Sequence, residues 1–169
     1  NRKDVFLEKY EALKDLPITW HFFGTIKIPP KLSPSFIDSI DYLHSLDSID
    51  LANPINKTRK KAEPLNCFVQ VNLSGNANKT GLTEIIPFIK NLAKYNKIKI
   101  VGLMTVVYSF DDDVLMGYFS TMKELQKEVQ ALNLSYAPCT ELSMGMSNDY
   151  KLAIKSGATM IRIGTLFSK

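Results

Sequence analysis

The sequence is short of several things that usually announce a function. It has two cysteines, Cys67 and Cys139, and two histidines, His21 and His44, in 169 residues. The cysteines lack the paired spacing of a zinc site and cannot build a disulfide framework, so a reducing cytoplasm is the simplest setting. No apolar run approaches the ~20 residues of a membrane-spanning helix, and no signal peptide opens the sequence. No GxGxxG follows a strand pattern, which argues against a dinucleotide-binding Rossmann site, and no Walker A motif is present. No Ser-His-Asp grouping stands out. The net charge is only +4. Its densest basic run, Lys57-Thr58-Arg59-Lys60-Lys61, has no interleaved aromatics and reads as a solvated surface rather than a nucleic-acid patch.

What is present is an ordinary globular composition, 45% hydrophobic and 22% charged, with enough length for one domain with a real core. Apolar patterning alternates between strand and helix. Residues 1–15 read as a helix through Val5, Phe6, Tyr10 and Leu13, starting without a cap. Residues 18–24, ITWHFFG, read as a strand, and 25–35 as a proline-rich loop. A short helix over 35–40 and a strand over 42–46 follow. Asp47 is placed to cap a helix through Ile49, Leu51 and Ile55, which Pro54 disturbs. Residues 66–73, NCFVQVNL, form the clearest strand. Cys67, Val69 and Val71 face one side, and Phe68, Gln70 and Asn72 the other. The two amides read equally well as ligand-facing or as a hydrogen-bonded structural pair.

Thr83 is placed to cap the next helix, with Ile85, Ile86, Phe88, Ile89 and Leu92 on its apolar positions. Residues 98–107 form a buried-type strand. Asp113 is placed to cap a helix with Leu115, Phe119, Met122, Leu125 and Val129 inward. That gives six strands with helices or loops between them, an alternation that predicts a parallel α/β fold. Six strands make either an open doubly wound sheet or six-eighths of a (β/α)8 barrel.

The closing stretch, LSMGMSNDYKLAIKSGATMIRIGT, carries the chemistry. Residues 142–144 predict a strand broken by Gly145, and Ser147-Asn148-Asp149 an N-cap for a short helix through Leu152, Ala153 and Ile154. Residues 159–163 predict a second strand interrupted by Arg162. Two parallel strands joined by a helix open their following loops on the same face. One loop offers Gly145 and Ser147, the other Gly164 and Thr165. Glycines let a ligand approach the backbone, and hydroxyls and free N–H groups favour an anion. In (β/α)8 barrels a phosphate site is often built after the last two strands. Arg162, in an apolar strand, needs a partner if buried, and a ligand ring nitrogen or carboxylate would serve. The bland alternative is a glycine- and serine-rich turn with the arginine in solvent. His44 reads as a satisfied core histidine, and His21, nearer its strand's mouth, as the better site candidate.

These segments resemble one family. Trp20-His21-Phe22-Phe23-Gly24 is similar to its WHFIG strand, and His44-Ser45-Leu46-Asp47 to its H-[ST]-[IL]-D segment. Val69 to Ser74 with Lys79-Thr80-Gly81 is similar to its QxN strand and KxG loop, and Gly102-Leu103-Met104 to its GLM strand. Leu142 to Asp149 with Arg162-Ile163-Gly164-Thr165 resembles its LSMGMS-x-D…RIGT signature. The family is that of the YggS/PROSC pyridoxal phosphate homeostasis proteins, and the likeness covers essentially the whole chain.

The resemblance implies a parallel (β/α)8 TIM-type barrel, alanine racemase N-terminal-like and incomplete here at about six strands, with residues 1–169 as a single pyridoxal 5'-phosphate (PLP)-binding barrel domain. It implies a cytoplasmic, non-catalytic carrier of PLP, with PLP-dependent apoenzymes as candidate recipients and no nucleic-acid or membrane partner. Ser143 or Ser147, Gly164 and Thr165 would hold the phosphate, and Arg162 would face the pyridine nitrogen. Met104 would line the pocket, with His21 nearby. Asn1 corresponds to the end of the family's F-G-E-N strand. The family's Schiff-base lysine lies upstream of that strand, in residues this sequence does not contain. Other departures are Lys27-Ile28-Pro29-Pro30 where a Q-x-N-K loop is usual, and a sequence that stops at Phe167-Ser168-Lys169 before an F-G-x-R segment. They favour a piece of a full barrel over a naturally short, degenerate member. A complete barrel is expected to be a monomer, and a six-strand remnant, with two open edges, to associate. Lys27 is a substitute lysine only by position. The rival readings are a PLP-dependent racemase or decarboxylase and a barrel remnant that acts by association without PLP.

Overall fold

The computed structural model describes residues 1–26, 32–76 and 78–167. Its elements are α1 (Lys3–Leu13), β1 (His21–Phe22), α2 (Pro34–Ser39), β2 (Tyr42–Leu46), α3 (Ile49–Thr58) and β3 (Leu65–Val71), then α4 (Ile85–Asn91), β4 (Ile98–Thr105), α5 (Asp112–Ala131), β5 (Glu141–Met146), α6 (Tyr150–Lys155) and β6 (Met160–Arg162). One-turn 3-10 helices span Leu92–Lys94 and Thr165–Phe167. The six strands form one sheet in sequence order, β1 to β6, and every neighbouring pair is parallel. A sheet in sequence order with helical crossovers is part of a (β/α) barrel and not a doubly wound sheet, whose strand order reverses. All strand C-termini therefore point to one end.

The faces of β3 divide as its alternation predicts. Cys67, Val69 and Val71 join the main core between sheet and helices, and Phe68 joins a smaller inner cluster with Val101 and Met104. The helix α5 contributes Leu115, Phe119, Met122 and Val129 at helical spacing, all buried. Burying each such side chain contributes about 1.5–3 kcal/mol. β3 and β4 slip register between Cys67 and Phe68, and Gly102 sits at the slip. A Cβ there would lie 2.1 Å from the Glu141 carbonyl oxygen, so only glycine lets β5 pack this closely.

Several sequence expectations shift. The strand expected over 18–24 has ladder pairing only at His21–Phe22. Before it, Trp20 is tied to the loop at Asp41, its N–H donating to the Asp41 carboxylate at 2.8 Å and its carbonyl accepting from Asp41 and Tyr42. Trp20 and Phe22 of the segment instead pack against α1, where Phe6 meets them and Phe36 of α2 edge-on, with centroids 5.5–5.8 Å apart. Helix caps move by a residue or two. Ser48, not Asp47, caps α3 by accepting from the Leu51 N–H. Asp111, not Asp113, caps α5. α4 starts after Glu84 with no side-chain cap, so Thr83 does not cap it. Pro54 sits inside α3 without ending it. Gly145 does not break β5, which runs on to Met146 with Gly145 at φ +93°. Ile154 is exposed, leaving Leu152 and Ala153 to seat α6. Lys27, Ile28, Pro29 and Pro30 lie outside the described residues, as do Ser168 and Lys169.

Candidate functional site

Five of the strands, β1, β2, β4, β5 and β6, contribute to one polar array inside the partial barrel. Arg162, the last residue of β6, is partly buried beside β5 and β4. Its NH1 donates to the Ser143 hydroxyl at 2.7 Å, and its NH2 to the Thr105 carbonyl at 2.7 Å. The Arg162 guanidinium carbon stands 5.5 Å from the Phe23 ring centroid. Its Nε is buried with no hydrogen-bond partner among the described residues. No carboxylate forms an ion pair with Arg162 among the described residues. Burial lowers the guanidinium to about 10, against a smaller opposing pull from Asp149 and Tyr108, so it remains charged at neutral pH.

Ser143 is fully buried and also lies 2.9 Å from His44 Nδ1. His44 Nε2 in turn lies 2.9 Å from His21 Nδ1. His44 stacks on Phe68, centroids 4.2 Å apart, and His21 on Tyr42 at 4.3 Å. Burial, with the nearby His21 and Arg162, pushes His44 down to about 3, so it is a neutral imidazole at working pH. Burial also lowers His21, and Asp41 partly opposes it.

Beyond Arg162 the loops open on a cleft of about 830 Å³. Its lining includes Met146, Ser147, Arg162, Gly164 and Thr165, together with Tyr108 and Phe110, both exposed. The Gly164 N–H donates to the Ser147 hydroxyl at 3.3 Å, which draws the two glycine-containing loops together. A Cβ at Gly164 would meet nothing within 4 Å. Asp149 does not cap α6 with its side chain. Its carboxylate turns back to accept from the Met146 N–H and braces the loop that carries Ser147.

Ser143, Ser147, Arg162, Gly164 and Thr165 thus come together across β5 and β6. His21 joins them through His44. Met104 is 1% exposed, packed with Phe68 and Val101 behind the array rather than on the cleft wall. Asn1 lies on the β1 side, its carbonyl so close to Gly24 that a Cβ there would collide with it. The two amides of β3 are held structurally. The Gln70 side chain donates to Thr80 Oγ1 at 2.8 Å, and Asn72 to the Asn76 carbonyl at 2.8 Å, fixing the loop after β3. Both also border a separate cleft of about 340 Å³. Sequence reasoning missed the roles of His44 as the link from His21 to Ser143, of Phe23 against Arg162, and of Tyr108 and Phe110. A histidine on an inward-facing strand position was the signal for the first.

Residues 19–168 match the family model of the alanine racemase N-terminal domain, and the chain belongs to that family. Relatives that align along nearly its whole length share the name pyridoxal phosphate homeostasis protein. One from Aquifex aeolicus is 37% identical over 172 residues, covering 98% of this chain and 73% of the relative. The structure of PipY from Synechococcus elongatus without PLP superposes with a TM-score of 0.84 at 29% identity, covering 98% of this chain and 78% of that one. The same protein with PLP bound gives 0.81 at 28% identity, covering 98% and 77%.

Proposed function

We propose that this chain is the greater part of a pyridoxal 5'-phosphate-binding homeostasis protein, a carrier or regulator of the cofactor and not an enzyme acting on a substrate. The observation that carries the reading is Arg162, a charged guanidinium lining a cleft, with no ion-pair partner and a buried unpaired Nε among the described residues. Beside it stand two hydroxyl-bearing loops and a glycine with open space above it. The residues fit the cofactor: a phosphate suits Ser147, Gly164 and Thr165, and an aromatic ring nitrogen suits Arg162. The names of the relatives, and PLP in the PipY structure, support the same choice.

When bound, PLP supplies an electrophilic aldehyde and an electron-withdrawing ring. The chain's own residues would decide how much of that chemistry is available. The hydroxyls and N–H groups of the two loops would hold the phosphate. Arg162 donates and has no acceptor, so a ring nitrogen facing it is kept unprotonated, and the ring is a weaker electron sink. Thr105 and Ser143 fix the guanidinium from behind. Tyr108 and Phe110 would shield the ring's outer side from water. Such a site stores the cofactor better than it activates it. In this reading the protein works in the cytoplasm, and PLP-dependent apoenzymes are its candidate recipients.

The test is a spectroscopic PLP titration of the intact protein beside Arg162→Ala and Thr165→Ala. Both variants are expected to bind PLP more weakly, and unchanged affinity in both would overturn the site. Racemase assays with alanine and serine are expected to show no turnover, and measurable turnover would favour an enzyme.

A further inference from the structure

Both histidines of the chain belong to a single array that crosses the barrel interior. It runs from His21 on β1 to His44 on β2, Ser143 on β5, Arg162 on β6 and the Thr105 carbonyl on β4. Each separation is 2.7–2.9 Å, so every member is in hydrogen-bond contact with the next.

The direction of the array is set at its arginine end. A guanidinium can only donate, so Ser143 accepts from Arg162. The serine has one proton to give, and it is fully buried with no third side-chain partner among the described residues. If it also accepted from His44, that proton would be buried without an acceptor. The Ser143 hydroxyl therefore donates to His44 Nδ1. His44 is buried and neutral, so its one ring proton is on Nε2, which donates to His21 Nδ1. His21, the one exposed imidazole of the two, is then neutral with its proton on Nε2.

A cationic His21 does not fit this pattern. It would carry a proton on both nitrogens, and its Nδ1–H would point at the Nε2–H of His44. The array accommodates the charge only by reversing. His44 moves its proton to Nδ1, freeing Nε2 to accept from His21, and donates to Ser143 instead. Overall one proton is taken from water. Ser143 then accepts from both His44 and Arg162, and its own proton loses its acceptor.

We propose that His44 is a positioning residue for Arg162, acting through Ser143, and that the charge on His21 sets the direction of the whole array. The groups facing His21 are Asp41 before β2, Tyr42 and His44 on β2, and, beyond His44, Arg162 on β6. Burial, the larger effect, opposes the cation, and Asp41 favours it. The reversal therefore occurs below the ordinary imidazole range, and His44 stays neutral throughout.

The test uses ¹⁵N imidazole spectra of the intact protein, which contain two ring systems from this chain. Above the ordinary imidazole pKa, His44 is expected as the Nε2–H tautomer. As His21 titrates, the two His44 nitrogens should exchange character without His44 gaining charge. In His21→Asn the exchange should disappear. A His44 with its proton on Nδ1 at high pH, a His44 that titrates normally, or an exchange that survives His21→Asn would overturn the proposal.

A second arm rests on the proposed cofactor site and reads PLP affinity. His44→Phe keeps a ring over Phe68 but has no acceptor for Ser143, and should weaken binding several-fold. His44→Asn supplies an oxygen at the Nδ1 position and should restore most of the loss. Equal affinity in wild type and His44→Phe would overturn the positioning role. If the wild type binds no PLP, the cofactor reading fails, and the spectra still decide the array. Where His44→Phe does not fold, the wild-type and His21→Asn spectra decide it.

Discussion

Arg162 and His44 share one hydrogen-bond partner, the Ser143 hydroxyl oxygen. Ser143 Oγ lies 2.7 Å from Arg162 NH1 and 2.9 Å from His44 Nδ1. A buried hydroxyl that both accepts from a cation and serves an imidazole has no slack. Ser143→Ala would leave two buried polar groups unpaired, and each costs about 1–3 kcal/mol when no water replaces the lost partner. We expect Ser143→Ala to lower the unfolding free energy measured in urea by about 2–6 kcal/mol. A loss within about 0.5 kcal/mol, the usual size of a surface change, would mean that water fills the place of the hydroxyl.

The depressed pKa of His44 fixes how stability depends on acidity. The group is neutral in the folded state down to about pH 3, and in the unfolded chain it takes a proton near the ordinary value of about 6.5. Between those values the unfolded state binds more protons, so stability rises with pH there. It is full above about 6.5 and is lost as pH falls toward about 3, at up to about 1.4 kcal/mol per pH unit for one proton. Carboxylates add their own acid dependence, so the quantity to measure is the difference between wild type and His44→Phe. The wild-type curve should be steeper in this window. Parallel curves would show that His44 is protonated in the folded protein.

Much of this fold was readable because long apolar strands leave little choice. β3 and β4 read directly from NCFVQV and IKIVGLM, and the loops after β5 and β6 stood out by their glycines and hydroxyls around Arg162. What failed was local competition between similar residues. Asp47 and Ser48 are both good cap residues, and which one caps depends on where the chain leaves the sheet. Asp149 had the right spacing for a cap but was drawn back to the Met146 N–H. The pairing of His44 with Ser143 spans 99 positions. It exists only once β2 and β5 face each other across the interior, and neither residue's neighbours in sequence signal it.

The cap of α5 gives a direct comparison between neighbours. Asp111 Oδ1 accepts from the backbone N–H groups of Asp113 at 2.9 Å and Val114 at 3.3 Å. Asp111→Ala should cost about 1 kcal/mol, the usual value of a lost N-cap. Asp113→Ala removes only a first-turn carboxylate near the helix dipole and should cost a few tenths of a kcal/mol. Chemical denaturation of the two variants side by side would check the order, and the reverse order would place the cap at Asp113.

Two glycines should respond in opposite directions. At Gly102 a Cβ would fall 2.1 Å from the Glu141 carbonyl oxygen and 2.8 Å from the Phe68 ring. The first obstacle is backbone and cannot swing aside, so Gly102→Ala should cost about 3 kcal/mol or more. Gly117 lies within α5 with open space around it. Gly117→Ala should stabilise by about 0.5–1 kcal/mol, because alanine loses less freedom on forming a helix. Thermal melts of both variants test this. A tolerated Gly102→Ala would mean that β4 and β5 are further apart than described.

The last comparison separates a ligand site from a merely glycine-rich turn. Gly164 lines the cleft and Gly145 immediately precedes its lining residues Met146 and Ser147, but their surroundings differ. Gly145 has φ +93°, and a Cβ there would lie 2.5 Å from Ala153 Cβ. Gly145→Ala should therefore destabilise the protein and disturb Ser147, weakening PLP binding through the fold. A methyl group at Gly164 meets nothing in the protein, so Gly164→Ala should leave the melting temperature nearly unchanged. If a phosphate sits against that backbone, the same methyl occupies its space, and affinity should fall at least several-fold. Weakened binding with an unchanged melt in Gly164→Ala is a result that a structural turn alone does not produce. Full affinity in that variant would move the phosphate away from the β6 loop and overturn the part proposed for Gly164 in holding it.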